Sequence, residues 1–138
     1  MFNVIQEINW IAVLLAALAS SLLGGVWFTL IFGKSYAIAL GKESTPNEKP
    51  APIFIVGPFA CGLVTTVAMA ILIYAFGIES IVNAIIFGCI VGIGLLASTT
   101  VNTAINPNIP RPLLYGLISG SYFLLSGLII SVILLVMK

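Results

Sequence analysis

The sequence predicts an all-α integral membrane protein whose four transmembrane helices form an antiparallel bundle. Of its 138 residues, 61% are hydrophobic and 7% are charged, and the mean hydropathy is +1.25. Four runs contain no charged residue: 8–33, 50–78, 80–110 and 112–137. Each run exceeds the ~20 residues that span the hydrocarbon core of a bilayer. Because backbone groups find no water there, the runs should be helices, and together they make a single domain, residues 1–138.

The predicted helices lie at about 8–32, 52–76, 80–105 and 112–137. The first could instead be a secretory signal, since ALA at 17–19 resembles a cleavage site, but Glu7 in its leader and the apolar run to Phe32 favour a retained helix. The first connection is long, and its segment 35–40 is expected to form one or two helical turns ended by Gly41. The second and third connections are short, which favours antiparallel neighbours.

The basic residues predict the orientation in the membrane. Lys34, Lys42, Lys49 and Arg111 fall on the side of the first and third connections, whereas Lys138 falls on the other side. Basic residues concentrate in cytoplasmic loops. The sequence therefore predicts a multi-pass protein of the cell membrane with both termini outside and the first and third connections in the cytoplasm.

Small residues mark the expected packing faces, because lipid tails are as apolar as leucine and close backbone approach must hold the helices together. The first predicted helix has such residues at every fourth position: Ala12, Ala16, Ser20 and Gly24. The later helices contain GxxxG pairs: Gly88 with Gly92, beside Gly94, and Gly116 with Gly120. The sequence leaves open whether these faces pack within one chain or in a homo-oligomer, and a four-helix domain favours the first. Pro58, inside the second helix, predicts a kink.

A polar stripe follows the last turns of the third predicted helix. Its candidate residues are Ser98, Asn102 and Asn106, with Thr99 and Thr103 beside them and Arg111 in the following turn. In one interpretation, these side chains complete the helix end and satisfy carbonyls freed by the nearby prolines. In the other, they line a polar cleft where Arg111 attracts an anion or a lipid head group. We expect the first role for Asn106, and the sequence leaves Asn102 open.

Two segments resemble the small bacterial membrane proteins of the domain-of-unknown-function family numbered 1761. Segment 8–41 has that family's Asn-Trp pair, small-residue helix, Gly-x-x-Trp and Phe-Gly-Lys step, and the segment from Arg111 resembles its last helix. The matching motif residues include Asn9, Trp10, Trp27 and Lys34. Tyr36 and Phe123 depart from the usual Trp and His, and the second departure argues against proton handling at that position. The resemblance implies a four-helix membrane protein and supplies no activity.

The residue inventory argues against catalysis. The chain has no His and no carboxylate within its apolar runs, so it lacks the groups for general acid–base chemistry. Cys61 and Cys89 are expected to be ordinary apolar residues, and we expect no cofactor or metal. A structural, lipid-binding or partner-binding membrane protein is favoured, with membrane lipid and a second copy as partners and no nucleic acid. The alternative is a small oligomeric transporter or channel with a polar path near Asn102 and Arg111.

Overall fold

A computed structural model of the chain describes residues 3–43 and 49–138. Four helices are long and apolar enough to cross a membrane: α1 (Trp10–Ile31), α3 (Ile53–Ala75), α4 (Ile81–Ala104) and α5 (Pro112–Val136). A short helix, α2 (Gly33–Ala39), follows α1. The predicted fold, a multi-pass membrane protein built from four such helices, is confirmed.

Helix α5 is the centre of the bundle. It packs most extensively against α4 and α1, and less extensively against α3 and α2. Its buried positions include five glycines and serines: Gly116, Ser119, Ser126, Gly127 and Ser131. Because such small side chains allow neighbouring backbones to come close, one helix can serve several neighbours.

Helices α3 and α4 diverge although only residues 76–80 separate them. Helix α3 packs mainly on α1, whereas α4 packs on α5. The expectation that short connections join packed neighbours is therefore wrong for this pair, although it holds for α4 and α5. Small residues explain why α4 packs on α5, because glycines of α4 face a glycine of α5. The buried residues of α3, which include Thr66 and Ala70, do not take part in that contact.

The chain ends of α1 and α5 meet at one end of the bundle, which we call the Lys138 end. The side chain of Asn9 caps α1 by accepting hydrogen bonds from the backbone N–H groups of Ile11 and Ala12, at 3.1 and 3.3 Å. Its Nδ2 donates to the carbonyl of Met137 at 2.8 Å. One side chain therefore both begins the first spanning helix and ties it to the last.

The opposite end of the bundle, the Arg111 end, holds α2. The predicted turns at 35–40 fall on this helix and its C-cap residue, Leu40, and Gly41 follows with a positive φ of 68°. The backbone N–H of Arg111 donates to the carbonyl of Ala39 at 3.3 Å, which docks the end of α2 onto the start of α5.

Two stretches of the spanning helices are π-helical, with a wider turn than the α-helix: Trp27–Ile31 in α1 and Ile90–Ala97 in α4. The extra residue in such a turn changes which positions face a neighbour. Counting every fourth residue from Gly88 therefore no longer identifies the residues that pack on α5 once the count passes Gly92.

Candidate functional site

The polar stripe lies on the surface of the bundle, along α4. Ser98 and Asn102 are both exposed there. The hydroxyl of Ser98 donates to the carbonyl of Gly94 at 2.6 Å, and that of Thr103 donates to the carbonyl of Thr99 at 2.9 Å. These hydroxyls are satisfied by their own helix, so they need no partner in the rest of the chain.

Asn106 completes the end of α4. Its Nδ2 donates to the carbonyl of Thr103 at 2.5 Å, and its Oδ1 accepts from the backbone N–H of Asn108 at 2.7 Å. An Asx turn of this kind supplies hydrogen bonds where the helix can no longer do so. The amide is therefore engaged in local structure, in agreement with the role that its place before Pro107 predicts.

Asn102 differs from its neighbours because its amide makes no hydrogen bond within the part of the chain that the structure describes. It lies two residues before the end of α4, on the exposed side of the helix. An amide offers both donors and an acceptor, and in a membrane these groups favour a protein, lipid head-group or water partner. Asn102 is thus the unsatisfied member of the predicted site.

Arg111 lies in the turn after α4 rather than beside Ser98. Its guanidinium is 3.7 Å from the Glu43 carboxylate, and the two side chains are 56% and 55% exposed. An exposed pair at this distance contributes little to stability. The guanidinium is therefore accessible to an anion or a head group at the Arg111 end.

The GxxxG of α4 packs against α5 within the same chain. A Cβ atom added at Gly88 would lie 2.8 Å from the carbonyl oxygen of Gly127, and one added at Gly92 would lie 2.9 Å from the Cα of Leu124. Contacts this short leave no room for any side chain. The partner residues Gly127 and Ser131 are themselves four apart, a pattern present in the sequence that would have located this face.

Helix α1 uses its predicted small-residue face against α5. Ala16 and Ser20 are buried, and the hydroxyls of Ser20 and Ser126 are 2.8 Å apart. The Tyr122 hydroxyl donates to the carbonyl of Ser20 at 3.2 Å, and its ring lies over Gly24. Tyr122 and Ser126 lie outside the small-residue pattern that predicted this face.

The GxxxG of α5 is also directed at α4. A Cβ atom added at Gly116 would lie 2.9 Å from Cγ2 of Val101, and one added at Gly120 would make an ordinary contact of 3.5 Å with Ala97. The small-residue faces that the sequence singled out are thus occupied within one chain. A contact with a second chain needs a different surface.

One face with small residues remains open. Gly94, Ser98 and Asn102 are all exposed on α4, and the Ser98 hydroxyl reaches back to the carbonyl of Gly94. A Cβ atom added at Gly94 would meet no atom of the described residues within 4 Å. We call these three residues the outer small-residue face. It combines a position that admits a neighbouring backbone with an amide that has no partner in the described part of the chain.

The motif residues of the suspected family hold structural positions. Asn9 caps α1, and the indole N–H of Trp27 donates to the carbonyl of Ile118 in α5 at 2.9 Å. Trp10, the first residue of α1, is 46% exposed, as expected for an interfacial aromatic ring. Lys34 is exposed at the start of α2.

Aromatic rings connect α2 to both of its neighbours. The Tyr36 ring centroid is 4.8 Å from that of Phe28 in α1 and 5.6 Å from that of Tyr115 in α5. Burial, together with the neighbouring Tyr115, raises the pKa of Tyr36 well above its ordinary value. The phenol therefore stays neutral at physiological pH. At the other departure from the family pattern, Phe123 packs beside Tyr122, with ring centroids 5.0 Å apart.

Comparison with known proteins identifies the family and leaves the activity open. The family model described as "Protein of unknown function (DUF1761)" matches residues 11–135. No curated protein and no solved structure matches the chain. Since the family match covers most of the chain, including all four spanning helices but for their extreme ends, the protein belongs to the DUF1761 family of proteins of unknown function.

Proposed function

We propose that this protein is a non-catalytic interaction protein of the membrane that binds a partner helix through its outer small-residue face. The observation that carries the proposal is the combination of open space at Gly94 with the Asn102 amide, which has no partner among residues 3–43 and 49–138, on exposed positions of α4. Small residues at four-residue spacing allow two helices in lipid to come close, and polar side chains then form hydrogen bonds between them.

The first partner we propose is a second copy of the same chain. Two copies in one membrane share their orientation, so a two-fold axis along the membrane normal can bring the same face of each together. The Asn102 amide both donates and accepts, so it can pair with its own counterpart. A two-fold contact requires this self-complementarity.

Substitution of two glycines tests the proposal. Gly94 and Gly25 both have open space around them, so leucine at either position should leave the fold of one chain intact. Gly94→Leu should abolish association, because its side chain keeps the backbones apart, whereas Gly25→Leu should associate like the parent. Förster transfer between labelled copies in liposomes, measured as lipid is added, reports the association. A parent protein that stays monomeric, or equal transfer in the two variants, would reject the proposal.

A second candidate function is a small oligomeric transporter or channel. It is favoured by the Asn102 amide, which no described residue engages, and by the accessible guanidinium of Arg111. Both would bring polar groups together where copies meet. The charge-free spans weigh against it, because transport pathways are usually marked by ionisable residues. Tracer flux in liposomes separates the two. The interaction role predicts no flux, whereas transport predicts a flux that Asn102→Leu removes while association and fold persist.

A further inference from the structure

A groove separates α3 from α4 at the Lys138 end, where the two helices diverge. Its volume is about 460 Å³, within the ~300–1,000 Å³ range of small-molecule sites. The lining is apolar apart from Asn83 and includes Leu72, Phe76, Ile86 and Ile90. Because both walls belong to spanning helices, the groove opens sideways into the hydrocarbon core.

The length of the groove matches one leaflet of a bilayer. From Asn83 to Leu95, its ends on α4, the helix rises at most roughly 18 Å at the ~1.5 Å per residue of an α-helix, and less where it is π-helical from Ile90. Half of the ~30 Å hydrocarbon core is about 15 Å. An apolar groove of this length and position suits an acyl chain that enters from the Lys138 end.

The mouth of the groove presents a fixed cation. The Nζ of Lys138 donates to the carbonyl of Ile78, a groove residue, at 3.2 Å, and lies 5.1 Å from the centroid of the Tyr74 ring. These two contacts hold the ammonium at the rim and leave it a further donor. At the end of a spanning helix, where the membrane meets water, the phosphate of a lipid head group is the anion available to this ammonium.

A carboxylate and an amide accompany the cation. Glu79 directly follows Ile78, is exposed, and makes no ion pair in the part of the chain that the structure describes. The exposed side chain of Asn83 lines the groove itself. One positive and one negative group beside the same mouth match a zwitterionic head group better than a purely anionic one.

We infer that this groove binds one acyl chain of a phospholipid of the surrounding bilayer, with its phosphate at Lys138 and a primary ammonium at Glu79. Phosphatidylethanolamine is the phospholipid with this head group. Its ammonium donates hydrogen bonds to a carboxylate, whereas the quaternary ammonium of phosphatidylcholine cannot. The groove shares no residue with the outer small-residue face, although Ile90 and Leu95 flank Gly94 on α4, and its lipid does not depend on the function proposed for that face.

The groove is tested by filling it. Ile90 lines the groove and is 59% exposed, whereas Ile93, on the same helix, is 54% exposed and is not among the lining residues. Native mass spectrometry of the purified full chain with dioleoyl-phosphatidylethanolamine should show a bound lipid that Ile90→Trp removes and Ile93→Trp retains. Equal lipid binding by the parent and both variants would overturn the site, as would a change in oligomeric state in Ile90→Trp alone, which would make the groove a protein interface.

The head group is tested by competition among dioleoyl lipids bearing ethanolamine, glycerol and choline. The parent should prefer phosphatidylethanolamine, and Lys138→Ala and Glu79→Gln should each weaken its binding roughly two- to fivefold, the range for exposed ion pairs. Lys34→Ala, at the Arg111 end, is the control and should have no effect. A preference for the glycerol or choline lipid would overturn the assignment. Ser98→Leu, beyond Leu95, the last lining residue on α4, should block association and leave lipid binding unchanged, so failure of the lipid site and failure of the association remain distinguishable.

Discussion

Single glycines decide how closely the helices of this bundle approach. At Gly88 the backbones of α4 and α5 are so close that an added methyl group would lie 2.8 Å from the carbonyl oxygen of Gly127 and 3.0 Å from the Cα of Leu128. Backbone atoms cannot turn away as a flexible side chain can. Even alanine at this position must therefore push the two helices apart.

Gly88→Ala is expected to destabilise the fold by about 1–3 kcal/mol, the usual cost of forcing an extra methyl group into a packed site. Gly94→Ala provides the matched control, because it lies on the same helix with nothing within 4 Å. Unfolding in mixed detergent micelles, monitored by circular dichroism, gives both free energies. Equal stability of the two variants would show that the α4–α5 contact is misplaced.

At the end of α4, one asparagine makes local hydrogen bonds and another presents its amide at the surface. The Asn106 amide donates to the Thr103 carbonyl and accepts from the Asn108 N–H. Asn102, one turn earlier, has no protein partner in the described residues. Two asparagines four residues apart therefore have different roles.

Asn106→Ala should lower the free energy of unfolding by about 1 kcal/mol, since two hydrogen bonds of about 0.6 kcal/mol each are lost. Asn102→Ala should change the stability of the monomer by less than about 0.5 kcal/mol, as expected for an exposed site. Unfolding measured in detergent at low protein concentration keeps association out of the comparison. A larger loss from Asn102→Ala than from Asn106→Ala would invert the assignment.

The existence of the helices was predictable, whereas the pairing of α3 was not. Charge-free runs placed all four spanning helices within two residues of their observed ends, because a bilayer allows few other structures. Apart from the polar stripe of α4, these helices are mostly apolar on every side, so their sequences do not show which side is buried. Position 94 illustrates the difficulty, because it follows the GxxxG closely in sequence yet lies in open space beyond the start of a π-helical turn.

The residues of the candidate site were predictable from the sequence, but their positions on the surface were only partly predictable. The polar stripe predicts Asn102 and Asn106 as candidates, and the position of Asn106 before Pro107 predicts its role at the helix end. The exposure of Ser98 and Asn102 depends on which helices pack against α4, and contacts between residues distant in sequence determine that packing. The groove beside Lys138 depends on the same choice.

For the whole molecule, the basic residues predict the orientation. Four of the five basic residues belong to the Arg111 end, so we expect this end in the cytoplasm and both termini outside. Single cysteines at Asn3 and Thr45, in a variant lacking Cys61 and Cys89, should react with an impermeant thiol reagent from outside only at Asn3. Thr45 lies outside the described residues, and its labelling from outside would reverse the orientation.

Association through the outer small-residue face is the central claim for the whole molecule. A cysteine at Ser98 can form a disulfide with its counterpart only if the two Cα atoms come within about 7 Å, which requires close packing of the two faces. Leu117 is the control position. It is 71% exposed on α5 and lies five residues from the start of that helix, whereas Ser98 lies six residues from the end of α4, so the two share a similar depth.

The most direct measurement is oxidative crosslinking of Ser98→Cys and Leu117→Cys in liposomes, in the background without the two native cysteines, at low ratios of protein to lipid. We expect a covalent dimer of Ser98→Cys, little dimer of Leu117→Cys, and loss of the Ser98→Cys dimer when Gly94→Leu is added. Absence of the Ser98→Cys dimer, or equal dimer at both positions, would contradict it.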